Sequence, residues 1–288
     1  MWLSSFIFGN CIAYFQFKDV EDVSTDLRNF FVTILLGCGL AGTVILVLLL
    51  PTKSEKSPDV PAVSPWQSLV DSFKLMADRD MQLLMMFFLF MGVELTFTTG
   101  VYGACLGFTR GFAGSTGMSA LHGMGNGLGG LTSGLLLAAF GKVTNRIGRF
   151  PVVLLGFGAH IMAYVIIFLN IPNDATLGYT SQSAILVPSN KELAIFASFL
   201  LGFGDSSFNS QTLSILGLIY RDQAAPAFAL FKLVQSGSAA LAFFLAGHIQ
   251  LYFHLGLMLL MGGIGTFAYV IVDLKTMRMI HAQPNSCE

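Results

Sequence analysis

Charge is what this sequence has least of. Of 288 residues only 11% are Asp, Glu, Lys or Arg, where soluble domains carry about 25%, and 54% are apolar. That shortage excludes a soluble globular chain. The net charge of −1 lacks the basic footprint that holds nucleic acid, so no nucleic-acid partner is expected. Cysteine is sparse and badly spaced for chemistry: Cys11, Cys38, Cys105 and Cys287 form no CxxC or Cys/His pattern, and two of them lie in apolar runs. No disulfide framework, metal site or cofactor is expected. The polar segment 172–190 contains no Asn-x-Ser/Thr acceptor, and no nucleophile, base and orienting group can be assembled, so the chain does not read as an enzyme.

What the sequence has in abundance is long apolar runs, too long for the strands of a membrane barrel. They predict an all-α, polytopic membrane protein with spans at 1–17, 29–50, 81–108, 115–140, 150–171, 192–219, 226–249 and 251–274. Residues 1–17 lack a basic leading segment and cleavage pattern, so they read as a membrane segment, short of the roughly 30 Å of a bilayer core. With a cytoplasmic N-terminus, Lys53, Lys56, Lys74, Arg79, Lys142, Arg146, Arg149, Arg221, Lys275 and Arg278 fall inside. Only Lys18, Arg28, Arg110 and Lys191 fall outside. This follows the positive-inside rule and places both termini in the cytoplasm. The proline-bearing interval 51–80 reads as a cytoplasmic linker between residues 1–50 and a six-span unit at 81–274, with 275–288 as a cytoplasmic tail.

The six-span unit contains a short internal echo. Phe88-Leu89 followed by Glu94, Thr96, Phe97 and Thr99 matches, at one constant offset, Phe199-Leu200 followed by Asp205, Ser207, Phe208 and Ser210. The two segments run in opposite directions through the membrane, as inverted three-helix repeats do in many transporters. Gly141-Lys-Val-Thr-Asn145-Arg146-Ile-Gly148-Arg149 resembles the major facilitator loop signature G-x3-D-R-x-G-R, with Asn145 where the acid usually stands. Its glycines suit a tight turn, and its arginines can bridge to helix C-termini and acids in one gating state; a basic loop that only fixes topology is the alternative.

Few residues inside the spans could carry chemistry. Glu94 and Asp205 lie near the middles of their spans, where a carboxylate is costly and marks a functional candidate or a hydrogen bond that holds the bundle. Thr98 and Asn209 share their faces by i, i+4 spacing. Lys232 either pairs with Asp205 or snorkels to the cytoplasmic interface. His122 and His160 are read as neutral side chains bonded to another helix or as proton relays. The run 123–130 formally holds G-x-G-x-x-G, but without a preceding strand the small residues at 123, 127, 130 and 134 read as a packing stripe, and Asn126 bonds across that contact or lines a cavity.

The strings GVELTFTTGVYGACLG at 92–107, NRIGRFPVVLLG at 145–156, LLGFGDSSFNSQTLSILG at 200–217 and APAFALFKLVQS at 225–236 resemble the Unc-93-like family of the major facilitator superfamily. The resemblance implies the major facilitator fold in a membrane such as the plasma or endolysosomal one. It also implies an activity among those ascribed to members: transport of a small solute, escort of innate-immune receptors, or regulation of a potassium channel. The partners expected are therefore the bilayer and either a small solute or a membrane-protein client. Such proteins have twelve spans. The chain is expected to start inside the fifth, to be a short form, and to need a complementary N-terminal half for alternating access.

Overall fold

The computed structural model describes residues 2–17, 24–49, 65–112 and 115–282. Its elements are α1 (Trp2–Phe17), α2 (Thr25–Leu49), α3 (Pro65–Leu75), α4 (Arg79–Thr96), α5 (Tyr102–Phe108), α6 (Ser115–Ile147), α7 (Phe150–Asn170), α8 (Lys191–Ile219), α9 (Ala224–Ala246) and α10 (Leu251–Ala282). A π-helical turn, Phe97–Val101, joins α4 to α5 in one continuous rod. Among the described residues there is no strand, only an isolated parallel bridge between Thr109 and Thr180. Helices are what a bilayer demands, because each satisfies its own backbone polar groups.

Five of these segments are long and apolar enough to cross a membrane: Thr25–Leu48, Arg79–Phe108, Phe150–Asn170, Arg221–Ala246 and Leu251–Ala282. The helices α6 and α8 are long enough but too polar by the same measure, and α1 has only 16 residues. Glycine dilutes the apolar character of α6, and Asp205, Asn209 and the serines dilute that of α8. Both are hidden by one another instead. They form the most extensive helix pair, followed by α7 with α8, α4 with α10, α1 with α6, and α4 with α9.

Close backbone approach makes the α6–α8 pair possible. A Cβ on Gly129 would sit 1.9 Å from the Phe199 carbonyl oxygen, and one on Gly202 would sit 1.9 Å from that of Asn126. Gly125 and Gly129 thus face α8 and Gly123 faces Asn10 of α1; of the expected stripe at 123, 127, 130 and 134, Gly134 points into open space, because the close crossing lies one turn earlier on another face of α6. The core behind it is aromatic: Phe87 meets Phe208 edge-on at 5.3 Å and Tyr269 at 5.1 Å. By contrast, the membrane-length stretch of α2 contains no buried residue.

Three boundaries differ from the sequence reading. The helix α6 continues to Ile147, so Gly141, Asn145 and Arg146 are helical and the turn is confined to Gly148 and Arg149. Within 141–149 only Gly148 has a positive φ, +113°, whereas Gly141 faces open space. The interval 51–80 carries α3, an amphipathic helix that packs on α9, although 51–64 lie outside the described residues. Finally, α10 runs eight residues past 274, because Lys275 finds Asp80 at 2.7 Å and Thr276 bonds back to Val272.

Candidate functional site

Glu94 is completely buried in α4 and ends in a three-helix polar knot. Thr98, one turn on, donates its hydroxyl to Glu94 Oε1 at 2.7 Å. His160 of α7, also fully buried, places Nε2 3.0 Å from the same oxygen and Nδ1 3.1 Å from the Gly156 carbonyl. A carbonyl only accepts, so Nδ1 carries a hydrogen and one proton lies between Nε2 and Oε1. Whether it sits on the imidazole or on the carboxyl, the pair is neutral overall. Glu94 Oε2 has no hydrogen-bond partner.

The π-helical turn explains how Thr98 serves both sides. Such a turn interrupts the regular i→i+4 ladder and is frequent at functional sites. Here the Thr98 carbonyl accepts from His122 Nε2 of α6 at 2.7 Å, while His122 Nδ1 faces Ser198 Oγ at 2.9 Å. A thread of hydrogen bonds thus runs His122, Thr98, Glu94, His160 across three helices.

On α8, Asp205 repeats the local arrangement of Glu94. Asn209 donates from Nδ2 to Asp205 Oδ1 at 2.8 Å, the same i, i+4 bond that Thr98 makes to Glu94. Asp205 retains 7% exposure and lies within electrostatic reach of both Glu94 and Lys232. Lys232 of α9 donates to Gln235 Oε1 at 2.8 Å, and its ammonium lies 4.5 Å from the centre of the Phe231 ring. Toward the C-terminal end of α8, a cleft of about 200 Å³ between α6 and α8 is lined by Gly134, Leu137, Gly141, Thr144, Ser210, Gln211 and Ser214. The structure therefore ties Thr98 to Glu94 and Asn209 to Asp205, and gives Lys232 a hydrogen bond to Gln235 rather than to either acid.

The 141–149 segment divides. Arg149 is buried: Nε donates to Ser214 Oγ at 2.7 Å, and Nη1 lies 3.7 Å from Asp273 Oδ1. Arg146 is exposed, and the side chain of Asn145 is outside the described ones. Asp273 of α10 accepts from the backbone N–H of Arg149 and Phe150 at 2.6 and 2.7 Å, which caps the start of α7 from another helix. Gly148 is required there, since a Cβ would meet Asp273 Oδ2 at 2.9 Å.

Sequence reasoning passed over Asp273, because it falls one residue inside the end of its span and reads as a boundary charge. An acid opposite a loop of arginines was the available signal. Gln235 was missed too, since a glutamine near a helix centre carries little weight without its neighbours. Just past the end of α8, Tyr220 donates its hydroxyl to Asp78. Burial first, and Asp78 and Asp80 next, push its phenol above the ordinary range and keep it protonated. Among the described residues no group of three His, Cys, Asp or Glu side chains converges to hold a metal.

Long apolar helices around a buried carboxyl–imidazole pair define an integral, polytopic membrane protein. Residues 1–270 match the family described as "Ion channel regulatory protein UNC-93", and the chain belongs to that family. It is similar to "UNC93-like protein MFSD11" of Xenopus tropicalis, with 36% identity over 93% of this chain and 65% of the relative. It is similar also to "Protein unc-93 homolog A" of Mus musculus and "UNC93-like protein 3" of Arabidopsis thaliana, each 26% identical over 88% of this chain and 53% of the relative. The chain thus spans about two thirds or less of the length of these relatives. No solved structure matches.

Proposed function

We propose that the chain is part of a membrane transporter of the major facilitator type, moving a small solute past the Asp205–Asn209 face, with the Glu94–His160 pair exchanging a proton behind it. The observation that carries this reading is the paired construction of Glu94–Thr98 and Asp205–Asn209 at equivalent points of two helices, within reach of each other in the interior. An acid held at depth without a close cation is costly to keep and marks an ion or solute pathway.

An inverted 3+3 repeat fits the helix contacts. Exchanging α4 with α8, α6 with α9 and α7 with α10 turns the pair α6–α8 into α9–α4 and α7–α8 into α10–α4, and leaves α7–α10 unchanged. On this reading the six-helix unit has eight spans in company with α1 and α2, both termini are cytoplasmic, and Gly148 with Arg149 and Asp273 forms the gating turn.

Two measurements test the proposal. A single cysteine at Asn209, in a background with the native cysteines replaced by serine, should react with a membrane-impermeant methanethiosulfonate, whereas one at lipid-facing Phe253 should not. Liposomes holding the chain assembled with a complementary N-terminal half should take up at least one solute from a panel of amines, carboxylates and amino acids, and Asp205→Asn should abolish that uptake. Equal labelling at both positions and no uptake would argue against transport. The family description favours a second reading, a regulator of another membrane protein. Proximity labelling would then recover one dominant membrane client, and Asp205→Asn would disturb that client's trafficking.

A further inference from the structure

Arg149 is a buried cation with most of its hydrogen-bonding capacity unspent. Its side chain is only 10% exposed, and of the guanidinium's N–H donors the one on Nε alone meets an acceptor among the described residues, the Ser214 hydroxyl at 2.7 Å. Nη1 stops 3.7 Å from Asp273 Oδ1, beyond hydrogen-bond distance. Asp273 is engaged elsewhere: its Oδ2 accepts from two backbone N–H groups at the start of α7, where a helix terminus favours negative charge, and its Oδ1 has no hydrogen-bond partner. Buried polar groups normally find partners, and a charged one with most of its donors free marks a place for an acceptor from outside the chain.

Ser214 connects this cation to the cleft between α6 and α8. Ser210, Gln211 and Ser214 of α8 line the cleft together with Thr144 of α6. Because the Ser214 oxygen accepts from Arg149, its own hydrogen is available to a ligand in the cleft. Among the described residues neither the Gln211 amide nor the Ser210 hydroxyl makes a hydrogen bond, although Gln211 is only 5% exposed; the bond that reaches Gln211 from Tyr269 ends on its backbone carbonyl. Thr144 is committed to the Phe140 carbonyl at 3.3 Å. No acid is among the residues that line the cleft.

We propose that this cleft binds a small oxyanion, a phosphate or carboxylate head carried by a free solute or by an anionic lipid. Ser210, Gln211 and Ser214 donate to its oxygens, and Arg149, one hydrogen bond behind Ser214, supplies the opposite charge. Hydrogen bonds to an ionised acceptor are the strong ones, and the attraction of the guanidinium grows as water is excluded. A cation in the same place would meet a like charge and no carboxylate. The volume of about 200 Å³ admits a phosphate together with ordered water. Such binding requires neither transport nor the Asp205–Asn209 face.

The test is the charge preference of a thiol placed in the cleft. With the native cysteines replaced by serine and the chain in nanodiscs of phosphatidylcholine, Ser210→Cys is reacted with an anionic and a cationic methanethiosulfonate, each rate divided by that for a free thiol in solution. The anionic reagent should be favoured about threefold or more. Arg149→Gln should erase that preference, and Arg149→Lys, which serves where the neutral variant misfolds, should keep most of it. Protection is read with the uncharged methyl methanethiosulfonate, so that surface charge does not enter. Sodium phosphate at constant ionic strength slows the reaction if the ligand is a free oxyanion, and phosphatidate in place of part of the phosphatidylcholine slows it if the ligand is a headgroup. Equal corrected rates for the two charged reagents, a preference untouched by Arg149→Gln, or protection by neither phosphate nor phosphatidate would overturn the site. So would a Ser210→Cys chain that none of the reagents modifies.

Discussion

His160 illustrates how one hydrogen bond fixes what a neighbour must be. Because Nδ1 is committed to the Gly156 carbonyl, Nε2 and Glu94 Oε1 share a single proton at 3.0 Å. Glutamine can reproduce this arrangement with its amide nitrogen in the place of Oε1, one hydrogen directed to Nε2 and the other to the Thr98 hydroxyl oxygen. Glu94→Gln is therefore expected to shift the thermal transition in detergent by only a degree or two, while eliminating proton exchange at the pair. His160→Ala leaves the buried carboxyl without its partner and should cost about 1–3 kcal/mol, read from the same unfolding curves. Equal effects of the two changes would show that the pair is packing alone. The sequence supplied both residues, but nothing in their spacing, 66 positions apart, pointed to a bond between them.

At the scale of elements, the glycines separate into those that carry a helix crossing and those that do not. Gly129→Ala or Gly202→Ala forces a methyl to within 1.9 Å of a backbone carbonyl that cannot move alone, so α6 and α8 must part. Each should lower the midpoint of thermal unfolding by several degrees, whereas Gly134→Ala and Gly158→Ala, which point into open space, should be neutral or slightly stabilising. Close packing in this part of α6 was legible in the sequence, but the spacing 123, 127, 130 and 134 did not single out Gly125 and Gly129, which face α8, nor name the partner helix. The connection between α6 and α7 behaves differently. Asp273→Ala removes the acceptor for two backbone N–H groups at the start of α7 and should cost about 0.5–2 kcal/mol, while Asp273→Asn, which keeps an acceptor, should recover most of that. A sequence pattern located the turn at Gly148 but spread it over the helical residues from Gly141, because a motif marks residue types and not where a helix stops.

For the whole molecule, the charges outside the spans predict an orientation. A tag after residue 282 should be reached by antibody only in permeabilised cells, and one inserted at Leu177, in the exposed segment between α7 and α8, should be reached in intact cells when the protein is at the plasma membrane. The reverse pattern would invert the orientation of every span. The helix α8 packs on α6 and α7, α4 packs on α9 and α10, and α1 lies against α6. The bare α2 offers an apolar surface for lipid or further protein.

By itself, the sequence determined that this protein lives in a membrane, roughly where its helices run, and which acids are too deep to be incidental. Those features follow from local composition and from the cost of placing charge in hydrocarbon, which each segment feels on its own. The tertiary structure decided the rest: that Glu94 is closed off by His160, that Asp273 caps a helix it does not belong to, and that Lys232 bonds to Gln235 rather than to an acid. The first two depend on which helix stands beside which, at separations of tens to hundreds of residues. That choice is made by glycine-mediated backbone contact and shape, and neither leaves a periodic trace along the chain.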